Sequence, residues 1–264
     1  MTNWDEIDRY AKQWIKEAGE RIRNSFKMEL IIETKSNPDD LVTNIDKETE
    51  QFFIENIAKT FPGHQILGEE GFGDSIQSMK GITWIIDPID GTMNFIHQQR
   101  NFAISVAVYE EGVGQIGLIY DVVHDELYHA RKGQGAYLNS TEIKPLEEVP
   151  LERAIIAINA TWITENKRID PKLLIPLVNA VRGTRSYGSA ALEMAYVVTG
   201  RVDAYITMRL SPWDFAAGIV LINEVGGVIT TLEGEPLNFL TENSVVVANA
   251  NIHNEIFTKF IKRK

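Results

Sequence analysis

The stretch Trp84-Ile85-Ile86-Asp87-Pro88-Ile89-Asp90-Gly91-Thr92-Met93-Asn94-Phe95 decides how the chain is read. An apolar run leads into a carboxylate, a proline, a second carboxylate, a glycine and a hydroxyl. The run reads as a buried strand. Pro88 fixes φ and Gly91 permits a tight turn, so the strand is expected to stop there. Two acids three apart would share a helix face, but the proline between them argues against a helix. A rigid turn at the strand's end can still bring both carboxylates together. Such a pair repels, and desolvation makes it worse. A hard cation with oxygen ligands is the simplest remedy.

Working outward, further acids stand at expected element ends. Glu69 and Glu70 leave the short strand Gln65-Ile66-Leu67-Gly68, and Asp214 follows Pro212 where a helix should begin. A helix N-terminus favours an ionised carboxylate. Taken singly, each acid has a bland reading: a helix cap for Asp214, a solvated loop pair for Glu69 and Glu70, a turn with Asx hydrogen bonds for Asp87 and Asp90. Together, with glycine and proline geometry around them, they point to a cation site.

The bulk composition narrows the function classes. The chain has 264 residues, 44% of them hydrophobic, enough for one large domain or two tightly joined halves. The halves are expected at about 1–145 and 146–264. It has no cysteine, which excludes disulfides, thiolate zinc sites and a cysteine nucleophile. With no signal-peptide pattern and no apolar run of membrane-spanning length, a cytoplasmic protein is expected. Net charge is −11, and no basic patch suited to nucleic acid is evident. The nearest is Lys259, Lys262, Arg263 and Lys264, read as a solvated helix end. An acidic protein handling an anionic substrate needs local positive charge, which a bound metal would supply.

Periodicity predicts helices over 3–28 and 45–60, the second with Phe52, Phe53, Ile57 and Ala58 inward. Residues 29–43 look extended, broken at Asn37-Pro38-Asp39-Asp40. From 102 to 145 the period is two, with antiparallel strands over 102–109, 115–120 and 127–130. Another strand is expected at 153–158. Then come a helix near 171–182, a strand near 184–186, a helix over 189–198 and a strand at 203–206. A helix from Pro212 to about Glu224, strands at 228–231 and 244–247, and a helix over 251–263 complete the chain. This order suggests layered sheets and helices.

Other motifs in the chain carry less. Gly112-Val113-Gly114-Gln115-Ile116-Gly117 spells a dinucleotide fingerprint, but a strand follows it, so it reads as a hairpin turn. Thr184-Arg185-Ser186-Tyr187-Gly188 lacks the first glycine of a nucleophile elbow. The five histidines show no metal-ligand spacing.

Asp87 through Phe95 resembles the first signature of the inositol monophosphatase family. Trp213-Asp214-Phe215-Ala216-Ala217-Gly218 through Glu224-Val225-Gly226-Gly227 resembles its second. Gly68-Glu69-Glu70 is similar to its metal-binding glutamate segment, and Gly188-Ser189-Ala190 stands where the family has a substrate-binding turn. Lys35 and Asp46 match as well, so the likeness spans nearly the whole chain. It implies a layered αβαβα sandwich, a homodimer, and magnesium-dependent hydrolysis of a small phosphate ester, with two or three Mg2+ ions. Carried over by position, Glu69, Asp87, Asp90, Asp214 and the Ile89 carbonyl would hold the ions. Asp46 would lie near the third, weaker one. Glu69 and Thr92 would position and deprotonate the attacking water, with Asp46 counted among the catalytic residues. Asp90, Gly91, Thr92, Gly188, Ser189, Ala190, Thr207 and Asp214 would contact substrate, and Lys35 would support the phosphate. No nucleic acid or membrane partner is expected.

One departure bears on substrate. Relatives acting on inositol phosphates commonly carry a glutamate seven residues before the second-signature aspartate, where this chain has Thr207. Inositol 1-phosphate is the leading substrate reading. NADP, through its 2′-phosphate, and fructose 1,6-bisphosphate are the alternatives. A regulatory scaffold for a protein or RNA partner is the reading from another class.

Overall fold

The structure, a computed structural model, describes residues 2–27, 30–34, 41–74 and 76–261. Lys35 and the Asn37–Asp40 breaker lie outside the described residues, as do Lys262, Arg263 and Lys264.

Helix α1 (Trp4–Ser25) is started by Asn3, whose side chain accepts from the Glu6 N–H. Its buried stripe, Ile7, Ala11, Trp14, Ile15, Ala18 and Ile22, follows the helical period. The short hairpin of β1 (Ile32–Thr34) and β2 (Leu41–Thr43) leads into α2 (Asn44–Thr60). Strands β3 (Gln65–Gly68) and β4 (Ile82–Asp90) follow, then α3 (Thr92–Gln98) and β5 (Ala103–Glu110). Next come β6 (Val113–Asp121), β7 (Glu126–Arg131), β8 (Ala136–Leu138) and β9 (Thr141–Ile143). Strands β3 to β9 form one sheet in chain order, parallel between β3 and β4 and antiparallel elsewhere. The glycine-rich 112–117 segment is the β5–β6 hairpin, with Glu111 and Gly112 both at positive φ.

The remaining elements are β10 (Ile155–Ile158), α4 (Pro171–Ala180), β11 (Gly183–Arg185), α5 (Ala190–Val198) and β12 (Ala204–Leu210). They are followed by α6 (Pro212–Glu224), β13 (Val228–Thr230), β14 (Asn243–Ala248) and α7 (Ala250–Ile256). The second sheet has the order β11-β10-β12-β14-β13.

Three apolar clusters set the layering. Residues of α1 and α2, such as Trp14 and Phe53, pack with Trp84 and Ile104 on the outer face of the first sheet. Residues of α5 and α6, such as Leu192 and Phe215, fill the gap between the sheets with Ile85 and Val247. Leu174 of α4 and Ile252 of α7 cover the far face of the second sheet against Ile156 and Val246. The result is the expected αβαβα sandwich. Among the described residues no helix is long and apolar enough to cross a membrane.

Three expectations need correction. β4 does not stop at Pro88 but continues to Asp90. Its pairing with β5 shifts between Asp87, opposite Ser105, and Asp90, opposite Ala103, so β4 carries one extra residue there. A proline is tolerated at such a bulge because no ladder hydrogen bond is demanded of it. Ala58 is exposed, since the buried face of α2 runs through Asp46, Thr49, Glu50, Phe53 and Ile57 instead. The last helix is α-helical only to Ile256 and continues as a wider π turn over Phe257–Ile261.

Candidate metal and phosphate site

The β4 bulge assembles the heart of the site. Along a regular strand, residues three apart point to opposite faces. One inserted residue between Asp87 and Asp90 restores the parity and turns both carboxylates to the same side. Asp214 comes from the first turn of α6, which is fixed to β5 where the Ser105 hydroxyl donates to the Trp213 carbonyl at 3.1 Å. Ser105 is also the strand partner of Asp87, so one residue ties the two acid-bearing elements together. One carboxylate oxygen from each of Asp87, Asp90 and Asp214 lies within 4.8 Å of the others, close enough to hold a metal ion.

Glu69 joins from the end of β3. Gly68 pairs with Ile86, and the Glu69 N–H donates to the Ile86 carbonyl at 3.2 Å, so Glu69 stands beside Asp87 and its side chain hydrogen-bonds to it. Glu50, which the sequence reading missed, fixes this loop. It is fully buried on α2 and accepts from the N–H groups of Glu70 (2.7 Å) and Phe72 (2.9 Å). A Cβ at position 68 would collide with the Glu50 carboxylate, which explains the glycine. The signal for Glu50 was present in the helical spacing of 46, 50, 53 and 57, which places it on the buried face.

Asp46 is buried at the start of α2, where its Oδ2 accepts from the Thr43 N–H at 2.9 Å and from the Thr43 hydroxyl. Its Oδ1 lies 3.2 Å from the Thr92 hydroxyl, which is also 3.2 Å from the Ile89 carbonyl. Asp46, Thr92 and Ile89 therefore form one continuous cluster next to the bulge.

Asp90 is anchored by the opposite half of the chain. It accepts from the Ser189 hydroxyl and from the amides of Ala190 (3.2 Å) and Ala191 (2.7 Å), at the N-terminus of α5. Gly188 adopts φ +78°, and a Cβ there would lie 2.9 Å from the Asn94 amide nitrogen. That nitrogen donates to the carbonyls of Tyr187 (2.7 Å) and Asn101 (2.8 Å), clamping α3 to the 187–188 turn. Gly91, at the head of α3, packs against Gly188 and Ser189. Asn94 and Glu193 were not singled out from sequence. Glu193 supports the same turn by accepting from the amides of Tyr187 (2.6 Å) and Gly188 (3.3 Å). Gly188, Ser189, Ala190 and Thr207 line a cavity of about 350 Å3.

The electrostatics follow from burial. Asp87 is held well above the usual carboxylate range by desolvation, then by the charges of Glu69, Asp90 and Asp214. Asp214 is raised by desolvation, then by Asp90 and Glu69, although its N–H partner Ser211 at 2.6 Å opposes this. Desolvation brings Asp90 up to about 6, less than it otherwise would because Ser189 and Ala191 favour its charged form. Ionising all three without compensation is costly. The donor set is hard oxygen throughout, which suits Mg2+ rather than a softer metal.

The chain matches the inositol monophosphatase family over residues 3–263, and it belongs to that family. It is 67% identical over 261 residues to the inositol-1-monophosphatase of Bacillus subtilis strain 168, covering 99% of this chain and 98% of that one. A staphylococcal IMPase-II solved with inositol monophosphate superposes with a TM-score of 0.88 at 44% identity, covering 97% of this chain and 94% of that one. An IMPase/NADP phosphatase solved with Mg2+ and phosphate does so at 0.87 and 32% identity, covering 96% and 94%.

Proposed function

We propose that this protein hydrolyses small phosphate monoesters with Mg2+, inositol 1-phosphate foremost. The convergence of Asp87, Asp90 and Asp214 within 4.8 Å carries the reading. The relative that shares 67% identity is named for the same activity, and a neighbouring structure holds inositol monophosphate.

Asp87, Asp90, Asp214, Glu69 and the Ile89 carbonyl would hold two ions, and Asp46 would border a third. Mg2+ bound there supplies an acidified water and charge neutralisation for the phosphate and the leaving oxygen. The chain's own groups supply position. The proton of the Thr92 hydroxyl is directed at Asp46 and the Ile89 carbonyl, so the oxygen can accept a hydrogen bond from the attacking water. Glu69 takes the water's proton as general base. The water oxygen bonds to phosphorus and the phosphorus–oxygen ester bond breaks; the leaving alkoxide takes a proton from solvent water, and Glu69 gives up the proton it took to solvent, so the balance closes on alcohol and inorganic phosphate. The amides of Gly91 and Thr92 receive phosphate oxygens, and the Gly188–Ala190 turn and Thr207 contact the alcohol part.

A panel of phosphate esters assayed for inorganic phosphate, with Mg2+ and with EDTA, tests this. Release of phosphate from inositol 1-phosphate that stops in EDTA is expected. Metal-independent release, or none from any ester, refutes the reading.

A further inference from the structure

The buried acid Glu193 does more than the chemistry above asks of it. It lies on α5 at 4% exposure, and its Oε1 accepts from the amides of Tyr187 and Gly188. The same side chain is hydrogen-bonded to Tyr205 of β12, and Tyr205 is hydrogen-bonded in turn to the Thr207 side chain. Ala204, Ile206 and Met208 of β12 are buried in the far apolar cluster. Tyr205 and Thr207 alternate with them and so share the opposite face, where Tyr205 packs in the same cluster as the α5 residues. Glu193, Tyr205 and Thr207 all line the cavity formed with Gly188, Ser189 and Ala190.

What each group can give fixes the direction of the bonds along this chain. An ionised carboxylate only accepts, so the Tyr205 hydroxyl donates to Glu193. Tyr205 has that proton to give, because burial, then the charges of Glu193 and Asp90, raise its phenol well above the usual range. A phenol has one proton. Once it is spent on Glu193, the second bond forms with Thr207 as donor and the Tyr205 oxygen as acceptor. The single proton of the Thr207 hydroxyl is then turned inward, and only lone pairs remain for the cavity. Bonds in such a chain polarise and strengthen one another.

We propose that Glu193 and Tyr205 are positioning residues for the alcohol part of the substrate, acting through Thr207, whose hydroxyl they hold as an acceptor for a hydroxyl of the bound ester. The inference rests on the phosphatase reading above and adds to it how a neutral threonine reads the alcohol. The glutamate that relatives commonly carry at this position can only accept. Here the carboxylate stands two groups back, and it lends that polarity to Thr207 without placing a charge at position 207. A threonine hydroxyl left to rotate would offer donor and acceptor alike and would discriminate less.

The test compares wild type, Tyr205→Phe, Glu193→Gln, Thr207→Val and the double variant Tyr205→Phe/Thr207→Val on inositol 1-phosphate and 4-nitrophenyl phosphate. The leaving group of the second ester carries no further hydroxyl to donate. Assays contain Mg2+ at about pH 8.5, where Glu193, raised by burial to about 7, carries its charge. Tyr205→Phe keeps the ring and removes the link. It should raise KM for inositol 1-phosphate relative to that for 4-nitrophenyl phosphate by roughly 3–10-fold, the worth of one hydrogen bond, with a smaller change in kcat. If the nitrophenyl ester binds without turnover, its Ki takes the place of its KM. Glu193→Gln should shift the ratio in the same direction, since a neutral amide is the weaker acceptor. Thr207→Val should shift it at least as far as Tyr205→Phe. The double variant should then match Thr207→Val alone, because the link has nothing left to orient. Should Tyr205→Phe fail to fold, Glu193→Gln takes its place in the same cycle. Additive shifts in the double variant would show Tyr205 acting through packing and overturn the relay, as would an unchanged ratio in Tyr205→Phe or equal losses on both esters. In each of those cases wild-type release of phosphate leaves the phosphatase reading standing. If neither ester releases phosphate, both fail.

Discussion

At Asp90 a single carboxylate serves two structures at once. It receives the Ser189 hydroxyl and the amides of Ala190 and Ala191, and it presents an oxygen to Asp87 and Asp214. Asp90→Asn separates the two roles. Asparagine keeps an acceptor for the Ala191 amide, so about one hydrogen bond of roughly 1 kcal/mol is at stake in the fold. For a chain of this size that corresponds to a Tm loss of about 2–4 °C. The charge proposed to bind the metal is gone, and phosphate release at saturating Mg2+ should drop by about 100-fold or more. Near-wild-type turnover would remove Asp90 from the ligand set. Thr207, 6% exposed and hydrogen-bonded to Tyr205, sits on the cavity wall rather than among the clustered acids. Thr207→Glu should therefore raise the preference for inositol 1-phosphate over fructose 1,6-bisphosphate. An unchanged ratio of kcat/KM values would show that position 207 does not read the alcohol.

At the scale of elements, the site depends on how segments are held at their ends. The loop carrying Glu69 is pinned by Glu50 from α2, and Gly68 leaves room for that carboxylate. Gly68→Ala should push Glu50 off the amides of Glu70 and Phe72. The expected result is a loss of roughly 1–3 kcal/mol of stability and a clear rise in the Mg2+ concentration for half-maximal activity. High Mg2+ should restore much of the rate. An unshifted Mg2+ titration would mean that the loop keeps Glu69 in place without Glu50. This element was legible in sequence only in part. The strand–acid–proline–acid order, the helix opening at Pro212 and the alternation over 102–145 were all readable, because hydrophobic period and proline geometry are local. The bulge was not. Pro88 reads as the end of a strand when viewed locally, and only pairing with Ser105 and Ala103 shows that the strand continues with its parity reset. Likewise Asn94 looks like one polar residue of a short helix, and its clamp on Tyr187 spans 93 positions. Long-range contacts of this kind leave no periodic mark.

For the whole molecule, stacking two sheets around α5 and α6 buries acids contributed from well-separated parts of the chain, and this links stability to pH and metal. Asp87 and Asp214 are held well above the usual carboxylate range, Asp90 rises to about 6, and burial takes Glu193 to about 7. Each of these groups binds its proton more tightly folded than unfolded. Their contribution is therefore fully present below about pH 4 and is lost as pH climbs through the folded values. His64 and His129 act in the opposite sense, since burial lowers both, but an unfolded histidine is largely neutral above about pH 7 and their effect ends there. In EDTA, Tm should accordingly fall between pH 7 and 8.5. On the proposed reading Mg2+ would bind the ionised carboxylates of the folded state alone, so the stabilisation it adds should grow over the same interval. Differential scanning fluorimetry across that range, with EDTA and with Mg2+, measures both slopes. Glu193→Gln should flatten the EDTA slope while keeping the growth of the Mg2+ shift, and Asp90→Asn should shrink the Mg2+ shift itself. A Tm in EDTA that rises from pH 7 to 8.5, or a Mg2+ shift that does not depend on pH, would mean that the buried acids are already ionised without a cation.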